Sequence, residues 1–188
     1  MKIILASLSP RRKEILERFG YDFTIENSNY IENGGVSDPV ITCLRFAKNK
    51  ASGVFFGKSE KERSDIAVVG ADTVVYYGGK ILGKPKDSTD AVNTLKLLSG
   101  KTHVVITGFA VLSEKSSVFG YDISKVTFND LSDELIRNYV ATGKPMDKAG
   151  SYGVQDGYDL VRGIIGSRYN VIGFPIEKIK PVLDGLKG

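Results

Sequence analysis

One cysteine and one histidine among 188 residues close off several chemistries at once. Cys43 alone supports neither an internal disulfide nor a thiol-based metal cluster. It lies in a stretch that reads as helix, beside Leu44 and Ala47, and is expected in the core. His103, also alone, cannot build a histidine metal centre; it opens a β-rich run and reads as structural or hydrogen-bonding. No apolar run approaches the roughly 20 residues of a membrane span. The start, Met1-Lys2 and a short apolar stretch running into Ser9-Pro10-Arg11-Arg12, does not look like a signal peptide. A reducing, cytoplasmic setting is expected. Two nucleotide-binding fingerprints are missing as well, Gly-x-x-x-x-Gly-Lys-Ser/Thr and Gly-x-Gly-x-x-Gly. Any nucleotide chemistry then has to run on carboxylates, lysines, arginines and a hard cation.

What is present suits a globular enzyme. With 41% hydrophobic and 26% charged residues, the chain can bury a core. Its length fits one domain spanning residues 1–188, with two lobes at most. The net charge of +4 suits an anionic ligand but is too small to argue for nucleic acid. The charge run at 58–63 mixes both signs and reads as a solvated loop. Neither an internal repeat nor a low-complexity linker occurs.

Residues 3–6 read as a short buried strand, with Ser9 as N-cap and Pro10 at the first position of a helix. That helix buries Ile15, Leu16 and Phe19 and stops at Gly20. A strand at 21–25 and a polar loop follow, and Ser37-Asp38-Pro39 opens a second helix to about residue 54. Residues 66–70 form a buried strand leading into Ala71-Asp72-Thr73, extended on to a Gly78-Gly79 turn. Asp87-Ser88 caps a helix that ends at 98–100. Residues 103–112 and 118–128, rich in β-branched and aromatic side chains, pair as a hairpin. Ser132 caps a further helix to about Gly143. Strands are expected at 160–165 and 170–173, and a C-terminal helix after Pro175. Strand and helix alternate early and a long hairpin sits in the middle, so the sheet is mixed.

Four places can carry chemistry. A helix N-terminus carries partial positive charge, yet the first turn here holds Arg11, Arg12 and Lys13. That arrangement opposes the dipole and makes sense where an anion sits, although solvated arginines are the plain alternative. Asp72 follows an apolar strand and can be a general base, a metal ligand or a turn aspartate bonding its own backbone. Lys84, between Gly83 and Pro85, is stiffly presented and either neutralises phosphate or is merely exposed. The run from Asp147 to Gln155 is glycine-rich. It is either a loop that approaches a ligand, with Gln155 offering donor and acceptor to a base edge, or a flexible surface loop.

Together these blocks resemble the Maf family of nucleoside triphosphate pyrophosphatases. The matching stretches are Leu5-Ala6-Ser7-Leu8-Ser9-Pro10-Arg11-Arg12, Gly70-Ala71-Asp72-Thr73-Val74-Val75, Gly83-Lys84-Pro85, Leu98-Ser99-Gly100 with His103 and Thr107-Gly108, and Asp147 to Gln155. The resemblance implies an α/β fold with a mixed, twisted central sheet, flanking helices and two lobes around a cleft, as in the inosine triphosphatases. It implies hydrolysis of a nucleoside triphosphate to the monophosphate and pyrophosphate with Mg²⁺ or Mn²⁺. Asp72 would activate the attacking water. Ser7, Arg12, Lys50 and Lys84 would hold the triphosphate, and Glu32 would lie with Asp72 near the metal. Arg11, Thr73 and Gln155 match the branch that hydrolyses dTTP and UTP and would select the base. The resemblance also implies a homodimer; from the apolar runs and the charge, no membrane and no nucleic acid partner is expected. One departure is visible: Asp156-Gly157 follows Gln155, where the family commonly has glycine next. The alternatives are the same chemistry on a different or modified nucleotide, or a non-catalytic regulator that binds nucleotides or nucleic acid.

Overall fold

The computed structural model describes residues 1–30 and 37–186. Its centre is a seven-stranded sheet formed by β1 (Lys2–Leu5), β2 (Phe23–Ile25), β3 (Ile66–Tyr77), β4 (Lys80–Leu82), β5 (Thr102–Ser113), β6 (Ser117–Phe128) and β7 (Val161–Ile165). The order is β2-β1-β3-β5-β6-β7, with β4 added to β3. β1 runs parallel to β2 and to β3, whereas the pairs from β3 through β7 are antiparallel. The mixed α/β architecture expected from the sequence is therefore the one observed. The helices are α1 (Pro10–Arg18), α2 (Pro39–Phe55), α3 (Glu60–Arg63), α4 (Ser88–Leu98), α5 (Asp133–Ala141), α6 (Arg168–Ile172) and α7 (Ile176–Gly185). Among the described residues no helix is long and apolar enough to cross a membrane.

Alternation along β3 sends successive side chains to opposite faces. On one face Ile66, Val68 and Val74 pack in clusters with α2, through Cys43, Ala51, Val54 and Phe55. On the other face Val69 and Ala71 join a cluster with Ile15 and Leu16 of α1 and Ile179 and Leu183 of α7. Further along that same face Val75 joins a second cluster with Leu95 of α4 and Tyr139 of α5. Thr73 lies between the two clusters on this face.

The edge of β3 is paired in two pieces. β1 occupies residues 66–69 and β4 occupies 75–77. Among the described residues no strand pairs with 70–74 on that side, and Asp72 and Thr73 stand in the gap. Chain leaving the carboxyl end of β1 enters α1 beside it, which is where open α/β sheets commonly place a ligand.

Several local expectations are corrected. Residues 170–173 form helix α6 and its stop, not a strand. The Ser167 hydroxyl caps the Asn170 amide, and Gly173 ends the turn at a φ of 106°. The mixed-charge run 58–63 is not wholly loop, since Ser59 and Glu62 form a capping box that nucleates α3. Asp72 is not at a strand end but inside β3, opposite Gly108 of β5. Ser9 is the N-cap residue of α1 by backbone geometry, yet its side chain makes no capping bond. Phe19 is partly, not fully, buried.

Candidate active site

Asp72 points to the α2 side of the sheet, and α2 lies unusually close there. A methyl group at Gly70 would sit 2.4 Å from the Ala47 carbonyl oxygen, and one at Gly108 2.6 Å from the Cys43 carbonyl carbon. Only glycine permits that approach. One turn further along α2, Lys50 Nζ donates to Asp72 Oδ1 at 2.6 Å. Both side chains are largely buried, 13% and 9% exposed. A charge pair held this far from water stays in one geometry, because separating it would strand a buried charge. Cys43 is core, as expected, and burial together with the Asp72 charge pushes its thiol up to about 12. It is therefore inert as a nucleophile near neutral pH.

On the opposite face the first turn of α1 supplies Arg12. Its guanidinium donates to Ser7 Oγ at 2.9 Å and to the Gly173 carbonyl at 2.9 Å, and its far nitrogen faces Thr73 Oγ1 at 3.5 Å. Thr73 Oγ1 lies 3.0 Å from Thr107 Oγ1, which donates to the Asn170 carbonyl at 2.8 Å. A carbonyl only accepts, so the single Thr107 proton is committed to it and Thr73 must donate to Thr107. The lone pairs of Thr73 are thereby left toward Arg12. Gly173 fits beside this group because a methyl there would lie 2.9 Å from Thr73 Oγ1.

Arg11 leaves the same turn in another direction and donates to Asp147 Oδ2 at 2.7 Å. Burial works to raise the Asp147 carboxyl, but hydrogen bonds from Lys148 and Arg11 outweigh it and hold the pKa below its usual value. Lys84 and Gln155 are exposed.

A cleft of about 650 Å³ brings these pieces together. Its walls include Arg11, Arg12, Asp72, Thr73, Lys84 and Gln155. Ser7 and Lys50 stand behind that wall, bonded to Arg12 and Asp72. Glu32 lies outside the described residues. Among the described residues no group of three or more His, Cys, Asp or Glu side chains is placed to hold a metal ion. The volume is within the range of pockets that take a small organic ligand. Cationic side chains and one buried carboxylate facing a cavity can bind a polyanion and take a proton from water beside it.

The sequence reading did not single out Thr107, Asn170 or Lys148 for a role. Thr107 and Asn170 are fully buried polar residues in apolar surroundings. Thr107 is the polar interruption in the otherwise apolar stretch 104–112, a signal that was available. His103 is buried with Nε2 2.7 Å from the Tyr152 hydroxyl, the hydrogen-bonding role expected of it.

The family profile described as Maf-like protein matches residues 2–186, nearly the whole chain. The chain belongs to the Maf family. Curated Maf relatives align over almost their full length. A dTTP/UTP pyrophosphatase of Aquifex aeolicus is 46% identical over 187 residues, 99% of this chain and 96% of that protein. One from Pyrococcus furiosus is 49% identical over 185 residues, covering 97% and 94%. One from Bacillus thuringiensis is 46% identical over 180 residues, covering 95% and 92%.

Proposed function

We propose that this chain hydrolyses dTTP and UTP to the nucleoside monophosphate and pyrophosphate, with Asp72 as the base that activates water. The observation that carries the reading is the cleft itself, where a buried carboxylate fixed by Lys50 shares walls with Arg11, Arg12 and Lys84. The similarity to dTTP/UTP pyrophosphatases at 46–49% identity supports the same substrate pair. Water oxygen attacks the α-phosphorus and forms the new P–O bond. The bond from that phosphorus to the bridging oxygen breaks, and pyrophosphate leaves. The proton of the water passes to Asp72. A positioned base of this kind contributes about 10²–10⁴-fold.

Arg12 is the side chain best arranged to meet phosphate, because contacts with Ser7, Gly173 and Thr73 hold its guanidinium in place on the cleft wall. A fork so fixed loses little entropy when it takes an anion. Lys84, exposed on the cleft wall, would meet the same charge. Lys50 keeps the Asp72 carboxylate in one orientation. Arg11, Thr73 and Gln155 would read the base.

The donor set fits a hard divalent cation of the Mg²⁺ or Mn²⁺ kind. Such an ion needs only one or two carboxylates when substrate phosphates complete its shell, and Asp72 offers one. Asp72 would hold it, with Glu32 as second candidate. When bound it supplies neutralisation of the charge that spreads over the phosphates.

Incubation of the protein with dTTP and Mg²⁺, with the products resolved by chromatography, tests the reaction. Thymidine monophosphate and pyrophosphate are expected in equal amounts. Release of orthophosphate without pyrophosphate would refute the bond assignment. Tight, salt-dependent DNA binding with no triphosphate turnover would instead favour a regulatory protein.

A further inference from the structure

The two side chains read here as base-selecting, Arg11 and Gln155, sit on different pieces of chain, yet a line of charged contacts joins them. Arg11 Nη1 donates to Asp147 Oδ2 at 2.7 Å, and the other oxygen of that carboxylate accepts from Lys148 Nζ at 2.8 Å. Lys148 Nζ also donates to the Lys144 carbonyl at 2.5 Å and lies 3.5 Å from Asp156 Oδ2. Asp156 Oδ2 in turn accepts from the Tyr139 hydroxyl at 2.6 Å, and that hydroxyl accepts from the Gly153 amide at 3.0 Å. The line thus ends on both sides of Gln155, at Gly153 and Asp156.

The central members of this line are inside the protein. The side chains of Lys148 and Asp156 are 10% and 8% exposed. Buried charges of opposite sign hold one another in place, since parting them leaves each without compensation. The packing is close: a methyl group at position 153 would fall 2.7 Å from Lys148 Cε and 2.8 Å from Asp156 Oδ1, so both side chains would have to shift to admit it. The Asp156 amide also donates to the Gly153 carbonyl at 3.1 Å, closing the turn that presents Gln155. Arg11, Asp147, Lys148, Gly153 and Gln155 all face the cleft.

We infer that Asp156 is a positioning residue for substrate discrimination, coupling the Gln155 turn to Arg11 through Lys148 and Asp147. The inference rests on the reading of Arg11 and Gln155 as base-selecting. Asp156 does not touch the substrate. It fixes where the Gln155 amide and the Arg11 guanidinium stand relative to each other, and so which base edge both can meet at once. Thymine and uracil present a carbonyl acceptor where cytosine presents an amino donor, so a displaced amide loses the distinction.

The test uses the full chain and compares kcat/KM for dTTP, UTP and CTP. Asp156→Asn keeps the shape and an acceptor for Tyr139 but removes the charge that faces Lys148. It is expected to cut the preference for dTTP over CTP by about ten-fold, chiefly through KM. Its thermal midpoint checks that the chain is folded. Should that variant fail to fold, Tyr139→Phe, which deletes the hydroxyl anchoring Asp156, serves the same purpose with the same expected loss. A double-mutant cycle adds the coupling. The loss of discrimination in Arg11→Met combined with Asp156→Asn should be smaller than the sum of the two single losses. Strictly additive losses would overturn the coupling. Unchanged discrimination in Asp156→Asn, with Gln155→Ala strongly impaired, would overturn the inference and leave the base-selecting reading intact. Unchanged discrimination in both Gln155→Ala and Arg11→Met would remove that reading and the inference with it.

Discussion

Acid should weaken this fold in part through one histidine, His103. The ring is buried, its Nε2 lies 2.7 Å from the Tyr152 hydroxyl, and its Nδ1 is buried with no hydrogen-bond partner among the described residues. Phe128 and Tyr152 pack edge-on against it, with ring centres 5.0 Å and 5.3 Å away. A second ring proton would have no acceptor in that setting. Burial lowers the imidazole pKa from 6.5 to about 4. Between those two values the unfolded chain binds a proton that the folded chain does not, so stability falls as pH falls. The slope reaches about 1.4 kcal/mol per pH unit. Integrated from pH 7.5 to 5.0, the loss is about 2 kcal/mol, and below pH 4 it levels off at about 3 kcal/mol. Urea denaturation of the wild type and of His103→Gln at both pH values isolates the effect, since carboxylate contributions cancel in the difference. The variant should start less stable at pH 7.5 and lose about 2 kcal/mol less on acidification. Identical pH dependence in the two proteins would refute a buried, neutral His103.

Asp72→Asn should lower kcat by about 10²–10⁴-fold in a pyrophosphate-release assay. Its far-ultraviolet circular dichroism should stay unchanged, because the amide oxygen still accepts from Lys50. Near-wild-type turnover would mean that another group takes the proton. Gly108→Ala forces α2 away from the sheet and should cost roughly 1–3 kcal/mol in urea denaturation, with a parallel fall in turnover as the Lys50–Asp72 contact stretches. Unaltered stability would show that α2 is free to shift.

The parts of this molecule legible in its sequence are those governed by local rules. The long hairpin of β5 and β6 follows from β-branched and aromatic content, and the starts of α2, α4 and α5 follow from Asp38, Asp87 and Ser132, each of which caps with its side chain. The stretch that became α6 failed because Val171-Ile172 before Gly173 suits either state. The deciding contacts are tertiary: buried Asn170 donates to the Val105 carbonyl and to Ser124 Oγ. Asp72 looked like a strand-end residue because it follows the apolar run Ala67-Val68-Val69, but β3 continues through it, and Gly70 and Ala71 serve the approach of α2 and the core. Residue types and order singled out six of the side chains that line the cleft, Arg11, Arg12, Asp72, Thr73, Lys84 and Gln155. The partnership of Arg11 with Asp147, 136 positions apart, could not be read from either segment alone. Nor could the use made of Asp156, which looked like a mere departure from the family pattern.

The interrupted edge of β3 has a consequence for how such an enzyme can change. Asp72 and Thr73 belong to the best-anchored strand of the sheet, paired along β5 over its length. Arg11 and Arg12 arrive after β1 stops, Lys84 after β4, and Gln155 on a turn beyond α5. Each of these pieces can be lengthened, tilted or re-lettered without disturbing the strand that carries the carboxylate. The anvil is fixed and the jaws around it are replaceable, so new substrate ranges are best sought by varying the rim while positions 70 and 108 stay glycine.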